Sequence, residues 1–67
     1  MANHPNIKGE VYLEFQVVGH SQRVTAIDAA TGLEATVIGP KAMTREHMTN
    51  LAVKKLNRRI LQEHSPR

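Results

Sequence analysis

The sequence predicts an α+β fold of two layers, in which a three-stranded antiparallel meander is covered on one face by a C-terminal helix. Two observations predict it. Apolar and polar residues alternate with a period of two over residues 10–18, 23–28 and 33–38, as they do in half-buried strands. Over residues 45–63 the apolar residues instead recur every four positions, which is typical of an amphipathic helix. The predicted element order is therefore β-β-β-α.

Turn residues separate the three predicted strands. We expect a four-residue loop in each hairpin, so that Val18 pairs with Arg23 and Asp28 pairs with Leu33. Gly32 suits the second turn because glycine takes a positive φ at no steric cost. In this register one face of the meander is apolar and forms the predicted core: Val11, Leu13, Phe15, Val17, Val24, Ala26, Leu33, Ala35 and Val37.

The helix has recognisable start signals. Thr44 is a good N-cap, and Glu46 suits the positive end of the helix. Residues 45–63 would span roughly 28 Å as a helix, close to the roughly 30 Å of the first strand, so the helix can lie along the sheet. Its apolar stripe is Met48, Ala52, Leu56 and Ile60. We expect one domain over residues 10–63, between a flexible N-terminal tail at 1–9 and a C-terminal tail at 64–67.

Composition excludes several classes of protein. The 67 residues include no cysteine, which rules out disulfides, a thiolate nucleophile and cysteine-ligated metals. No apolar stretch approaches the length of about 18 residues that a membrane span needs, and the first nine residues lack the apolar core of a secretory signal. We therefore expect a cytoplasmic protein with no membrane segment. The histidines lack ligand spacing, so we expect neither a metal nor another cofactor: His4, His20, His47 and His64.

The size of the chain argues against catalysis. A two-layer domain of 67 residues rarely encloses a pocket that could dehydrate a substrate, so we expect no enzyme and no small-molecule ligand, although a site at a dimer interface stays open. The small core favours association instead. The candidate association face lies on the outer side of the sheet, for a homodimer or a larger protein partner: Tyr12, Val18, Ile27 and Ile38. A dimer could form through this sheet face or through an edge strand. The alternative is scattered apolar surface, which is normal in soluble proteins.

Charge is unevenly distributed along the chain. Residues 10–40 contain four acidic residues and one basic residue, whereas residues 41–67 contain seven basic and two acidic ones. Four cations lie close together on the predicted helix and form the candidate basic face: Lys54, Lys55, Arg58 and Arg59. This face could be an ordinary solvated helix surface, or it could bind RNA or DNA weakly through phosphates. Scarce aromatic residues argue against single-strand recognition by stacking.

Three segments of the chain carry a family resemblance. They are GEVYLEFQVVG at residues 9–19, VTAIDAATGLEATVIGP at residues 24–40 and LAVKKL at residues 51–56. Together they resemble a small family of uncharacterised bacterial proteins of about this length, known as a domain of unknown function. The resemblance implies a short cytoplasmic bacterial protein, and it implies no activity and no site residues. From the small core and the apolar residues on the outer sheet face, we expect a non-enzymatic interaction module that binds another protein or itself.

Overall fold

The computed structural model describes residues 4–64, and it confirms the predicted α+β architecture. Its elements are β1 (Val11–Val18), β2 (Ser21–Asp28), β3 (Glu34–Pro40) and α1 (Arg45–His64). The strands form one antiparallel sheet in the order β1-β2-β3. The helix packs on one face of this sheet. Apart from the backbone of His64, the predicted C-terminal tail at 64–67 lies outside the described residues.

The first hairpin differs from the sequence prediction. Val18 pairs with Ser21 rather than with Arg23, and the loop consists of only Gly19 and His20. Gly19 has a φ of 60°, as the first central residue of a type II′ turn requires, and such turns match the twist of the flanking strands. The predicted register is therefore wrong by two residues. A slip of two keeps every side chain on its own face, so the alternating pattern could not detect it.

The second hairpin confirms the predicted register. The Asp28 amide donates to the Leu33 carbonyl oxygen at 2.8 Å, and Ala26 pairs with Ala35. The Asp28 side chain holds the turn, because its Oδ2 accepts hydrogen bonds from the Thr31 amide at 3.1 Å and from Thr31 Oγ1 at 2.6 Å. Gly32 has a φ of 77°, the conformation for which glycine was expected there.

The helix begins as predicted. Thr44 Oγ1 accepts a hydrogen bond from the His47 amide at 3.1 Å, which satisfies one of the free amides of the first turn. Every residue of the predicted helical stripe is buried. The core consists of Val24, Ala26, Ala35, Met48, Ala52, Leu56 and Ile60. It is thus built from β2, β3 and α1 and contains no fully buried residue of β1.

The N-terminal segment, predicted from the sequence to be a tail, contacts the helix within its described part. The Asn6 amide donates to Asn57 Oδ1 at 2.9 Å, and Asn6 Nδ2 donates to the Asn57 carbonyl oxygen at 3.3 Å. Ile7 packs against the core. Residues 6 and 7 therefore help to hold the second half of α1 in place.

Candidate association surface

The helix does not lie centrally on the sheet. It makes its main contacts with β2 and β3, where Ala26 and Ala35 are fully or almost fully buried. These small side chains let the helix approach the sheet closely, and Ala52 of the helix is itself fully buried. The bulkier side chains of the same sheet face stand on β1. Close packing is therefore achieved over β2 and β3, and β1 projects beyond the cover of the helix.

Three apolar side chains of β1 are exposed as a result. Leu13 is 36 % exposed, Phe15 37 % and Val17 54 %. Their partners across the β1–β2 ladder are Ala26, Val24 and Gln22, so the three side chains stand on the same face as the core. We call Leu13, Phe15 and Val17 the β1 apolar row. The sequence prediction that these residues are core residues is wrong in burial, although it is right about the face.

The backbone of the same three residues points to the open edge of the sheet. The Ala29 amide donates to the Glu10 carbonyl oxygen at 3.0 Å, which fixes the alternation of the β1–β2 ladder. In an antiparallel ladder, every second residue directs its amide and carbonyl groups away from the neighbouring strand. In β1 those residues are Leu13, Phe15 and Val17. The β1 apolar row thus combines exposed side chains with outward backbone donors and acceptors.

The opposite edge of the sheet, on β3, has specific protection. By the same alternation, four residues of β3 direct their backbone outward: Glu34, Thr36, Ile38 and Pro40. Two of these four positions are protected. Lys55 Nζ donates to the Thr36 carbonyl oxygen at 2.8 Å, and Pro40 has no amide to donate. Lysine and proline are common devices that stop an edge strand from pairing with another chain. β1 contains neither residue, so the two edges differ in their capacity to bind a further strand.

A cation also approaches the β1 apolar row. The guanidinium carbon of Arg45 lies 4.6 Å from the centroid of the Phe15 ring, within the range of a cation–π interaction. Arg45 is the first residue of α1, so this contact links the start of the helix to the middle of β1. It holds the Phe15 ring beside the helix while leaving 37 % of the residue exposed.

The association face expected from the sequence lies on the other side of the sheet. Tyr12, Val18 and Ile38 are 55 %, 61 % and 66 % exposed, respectively, and Ile27 is half-buried. Tyr12 and Ile27 are cross-strand partners. They lie at one end of the face, and Val18 and Ile38 lie at the other. The positions between the two pairs are polar: Glu14, Gln16, Arg23, Thr25 and Thr36.

The four cations of the candidate basic face are brought together. All are exposed, and they line a groove of about 830 Å³ between α1 and the outer edge of β3. Glu34 and Glu63 line the same groove, so its charge is mixed. One cation, Lys55, is already bonded to the sheet edge. The groove-lining cations are Lys54, Lys55, Arg58 and Arg59.

Two buried polar residues on the core face were not recognised from the sequence. Gln22 is 7 % exposed and Asp28 is 1 % exposed. Gln22 Nε2 donates to the carbonyl oxygens of Pro40 at 2.9 Å, Lys41 at 3.4 Å and Met43 at 2.6 Å. It thereby ties the connection between β3 and α1 to β2. Their burial could have been predicted, because both residues alternate in step with Val24 and Ala26, on the core-facing side of β2.

Within the described residues, no three His, Asp or Glu side chains lie close enough together to hold a metal ion. His4, His20 and His47 belong to the N-terminal segment, the first turn and the helix start, respectively.

Across the described residues, no helix combines the length and apolar character that crossing a membrane requires.

Comparison with known proteins identifies a family. Residues 8–64 match the family described as a domain of unknown function, DUF6898. The match includes all three strands and the helix, and the chain therefore belongs to this family. No curated protein and no solved structure matches the chain.

Proposed function

We propose that this member of the DUF6898 family is a non-enzymatic interaction module that associates with a second copy of itself through the β1 apolar row. The observation that carries the proposal is the position of α1, which covers β2 and β3 and leaves Leu13, Phe15 and Val17 exposed. An unprotected edge strand with apolar side chains is a preferred site of chain association. The cytoplasmic and bacterial setting expected from the sequence belongs to the same proposal.

The size of the apolar row sets the expected affinity. Complete burial of an exposed Leu, Phe or Val side chain contributes roughly 1.5–3 kcal/mol, and these three are 36 %, 37 % and 54 % exposed. Burying the row in both copies would therefore contribute roughly 3–8 kcal/mol. Association also costs about 4 kcal/mol or more in lost translation and rotation. A weak, concentration-dependent dimer follows, which requires measurement at micromolar and higher concentrations.

A second copy suits this surface better than the outer face of the sheet. The row is contiguous, because its members are the successive residues of β1 whose side chains lie on the same sheet face as the core. The outer-face residues Tyr12 and Ile27 are separated from Val18 and Ile38 by charged and polar side chains. Desolvating those polar groups would oppose association there. The outer face stays the competing prediction for the same experiment.

Sedimentation equilibrium of the full chain, from about 10 to 500 μM, tests the proposal. The two informative variants are Val17→Lys and Val18→Lys, which change adjacent residues of similar exposure on opposite sheet faces. We expect wild type to dimerise. Val17→Lys should raise the dissociation constant of the dimer by about tenfold or more. Val18→Lys should leave the dissociation constant within about threefold of the wild-type value. A monomeric wild type contradicts the proposal. If only Val18→Lys weakens the dimer, the copies associate through the outer face of the sheet instead, and the proposal is wrong.

One observation favours a second candidate function, which is weak binding of duplex nucleic acid. The four cations of the basic face line one groove instead of dispersing around the helix. If all four contacted phosphates, log affinity would fall against log salt concentration with a slope of roughly −3.6. Glu34 and Glu63 in the same groove would oppose phosphate, and self-association is therefore our first choice.

Fluorescence anisotropy with a labelled duplex at two salt concentrations tests this second candidate. The double variant Lys54→Glu with Arg58→Glu should abolish the binding. The matched control, Lys8→Glu with Lys41→Glu, makes the same charge change at exposed positions outside this groove. Equal loss in both variants would show a dependence on net charge and would contradict a specific role for the groove.

A further inference from the structure

The backbone of β1 indicates how the second copy binds. We propose that two copies join edge to edge, with β1 antiparallel to the β1 strand of the second copy across a twofold axis, so that two three-stranded sheets become one continuous sheet of six. This inference rests on the self-association proposed above and specifies its geometry. The alternative geometry stacks the two apolar rows face to face and leaves both sheet edges unpaired.

Edge pairing uses every free group of the β1 apolar row. Leu13, Phe15 and Val17 direct their amides and carbonyls outward, and a second antiparallel strand would satisfy them in pairs. Their side chains meet those of the second copy on the helix face of the joined sheet. Face-to-face stacking would bury the side chains but give the backbone no partner. The β3 edge is less suited to the same pairing, because Lys55 already donates to the Thr36 carbonyl oxygen and Pro40 lacks an amide.

Side-chain pairing across the joint selects one register. When Phe15 lies on the twofold axis, Leu13 faces Val17 of the second copy. The three exposed apolar residues then bury one another symmetrically, since Phe15 is the middle member of the row. On the outer face, Glu14 comes opposite Gln16, an uncharged hydrogen-bonding partner. Like charges directly opposite are thereby avoided along the whole joint.

The neighbouring registers are less favourable. An axis through Glu14 would place the two Glu14 carboxylates directly opposite each other, which is destabilising in a sheet. An axis through Leu13 would place Val17 opposite Gly9, so the most exposed member of the row would gain no apolar partner. An axis through Gln16 would pair Leu13 with the turn residue Gly19. Only the register centred on Phe15 gives every member of the row an apolar partner without placing like charges directly opposite each other.

The proposed joint leaves the basic groove free. The strand order places β1 at one side of each sheet and β3 at the other. In the joined sheet, both β3 strands are therefore outermost, and each keeps its groove between β3 and α1. Both helices lie on the same face of the six strands. Loss of Lys54 and Arg58, which line the groove, should then have no effect on the dimer.

Cysteine cross-linking tests the geometry directly, because the chain contains no cysteine. The informative variants are Glu14→Cys and Gln16→Cys, which lie on the outer face of β1 and leave the apolar row intact. In the proposed register these two positions form a pair without backbone hydrogen bonds, with Cα atoms about 4.5 Å apart. Disulfides require Cα separations of about 4.4–6.8 Å. Ile38→Cys on β3 is the control for random collision.

We expect a disulfide-linked dimer when Glu14→Cys and Gln16→Cys are mixed and oxidised, with at least tenfold less product from either variant alone. Rapid linking of Glu14→Cys alone places the axis at Glu14, and linking of Gln16→Cys alone places it at Gln16; both overturn the register. If wild type sediments as a dimer while none of these pairs links above the Ile38→Cys control, edge pairing is wrong and self-association stands. A monomeric wild type overturns both proposals.

Discussion

Replacing Gln22 by glutamate should destabilise the fold by an amount that depends on pH. Gln22 lies on β2, and its Nε2 donates to Pro40, Lys41 and Met43 carbonyl oxygens. The Gln22→Glu variant keeps the size of the side chain but replaces the donor by a carboxyl group. When ionised, that group would face three carbonyl oxygens in a position that is only 7 % exposed. The connection between β3 and α1 would lose its anchor.

The magnitude follows from the number of good hydrogen bonds. Two of the three are well formed, at 2.9 and 2.6 Å, and each contributes about 1 kcal/mol net, with a further cost for the buried carbonyls left without a donor. We expect a loss of about 2–4 kcal/mol in the free energy of unfolding at pH 7. A protein of this length has a total of roughly 3–10 kcal/mol, so the loss is a large share of it.

The pH dependence has a definite sign. Burial and the facing carbonyls disfavour the ionised form, so the pKa of the introduced carboxyl group is raised in the folded state above its unfolded value of about 4.3. The protonated form can donate to one carbonyl again. The stability that the protonated carboxyl group restores is present below about pH 4. This stability is lost as the pH rises through the pKa that the group has in the folded state. The difference between variant and wild type should therefore shrink towards pH 4.

Urea denaturation followed by far-ultraviolet circular dichroism measures this difference at pH 7 and pH 4. Both proteins should be compared at each pH, because the natural carboxyl groups then contribute equally to both. Gln62→Glu is the matched control, since it makes the same chemical change at an exposed helical position, and we expect a change within about 0.5 kcal/mol. Equal destabilisation by the two substitutions, or a difference that grows on acidification, would refute the role assigned to Gln22.

Four further substitutions test the packing, the second turn and the helix cap. Leu56→Ala removes a fully buried side chain and should cost about 2–5 kcal/mol in urea denaturation, whereas Leu51→Ala, at a residue that is 40 % exposed, should cost less than half as much. Gly32→Ala should cost about 1–2 kcal/mol because its φ is 77°; a neutral effect would show that the turn adapts. Thr44→Ala should lower the melting temperature through the loss of about 1 kcal/mol of N-cap stabilisation, and an unchanged melting temperature would contradict the cap.

Much of the fold could be predicted from local patterns. The period of the apolar residues predicted three strands and a helix, and Thr44 predicted where the helix begins. The register of β2 and β3 was also predictable, because the Asp28 turn is a local structure held by Thr31. The first hairpin was not, since a two-residue slip preserves both faces and only the turn conformation of Gly19 distinguishes the alternatives.

The candidate site shows where such prediction ends. The sequence identified the groove cations from their positions on one helix, and these residues do lie together. It assigned Leu13, Phe15 and Val17 to the core, because an apolar face has the same pattern whether or not a helix covers it. Exposure of the β1 apolar row depends on where α1 sits across the sheet, and no local pattern encodes that lateral position.

The sequence by itself determined the type and order of the elements, the face on which each side chain lies and the absence of cysteine chemistry. Tertiary structure decided which strands the helix covers and which sheet edge stays open. The physical reason is the difference between local and long-range interactions. Backbone preferences and side-chain periodicity act between near neighbours in the chain, whereas the small side chains of Ala26, Ala35 and Ala52 fix the helix over β2 and β3 only when distant segments pack together.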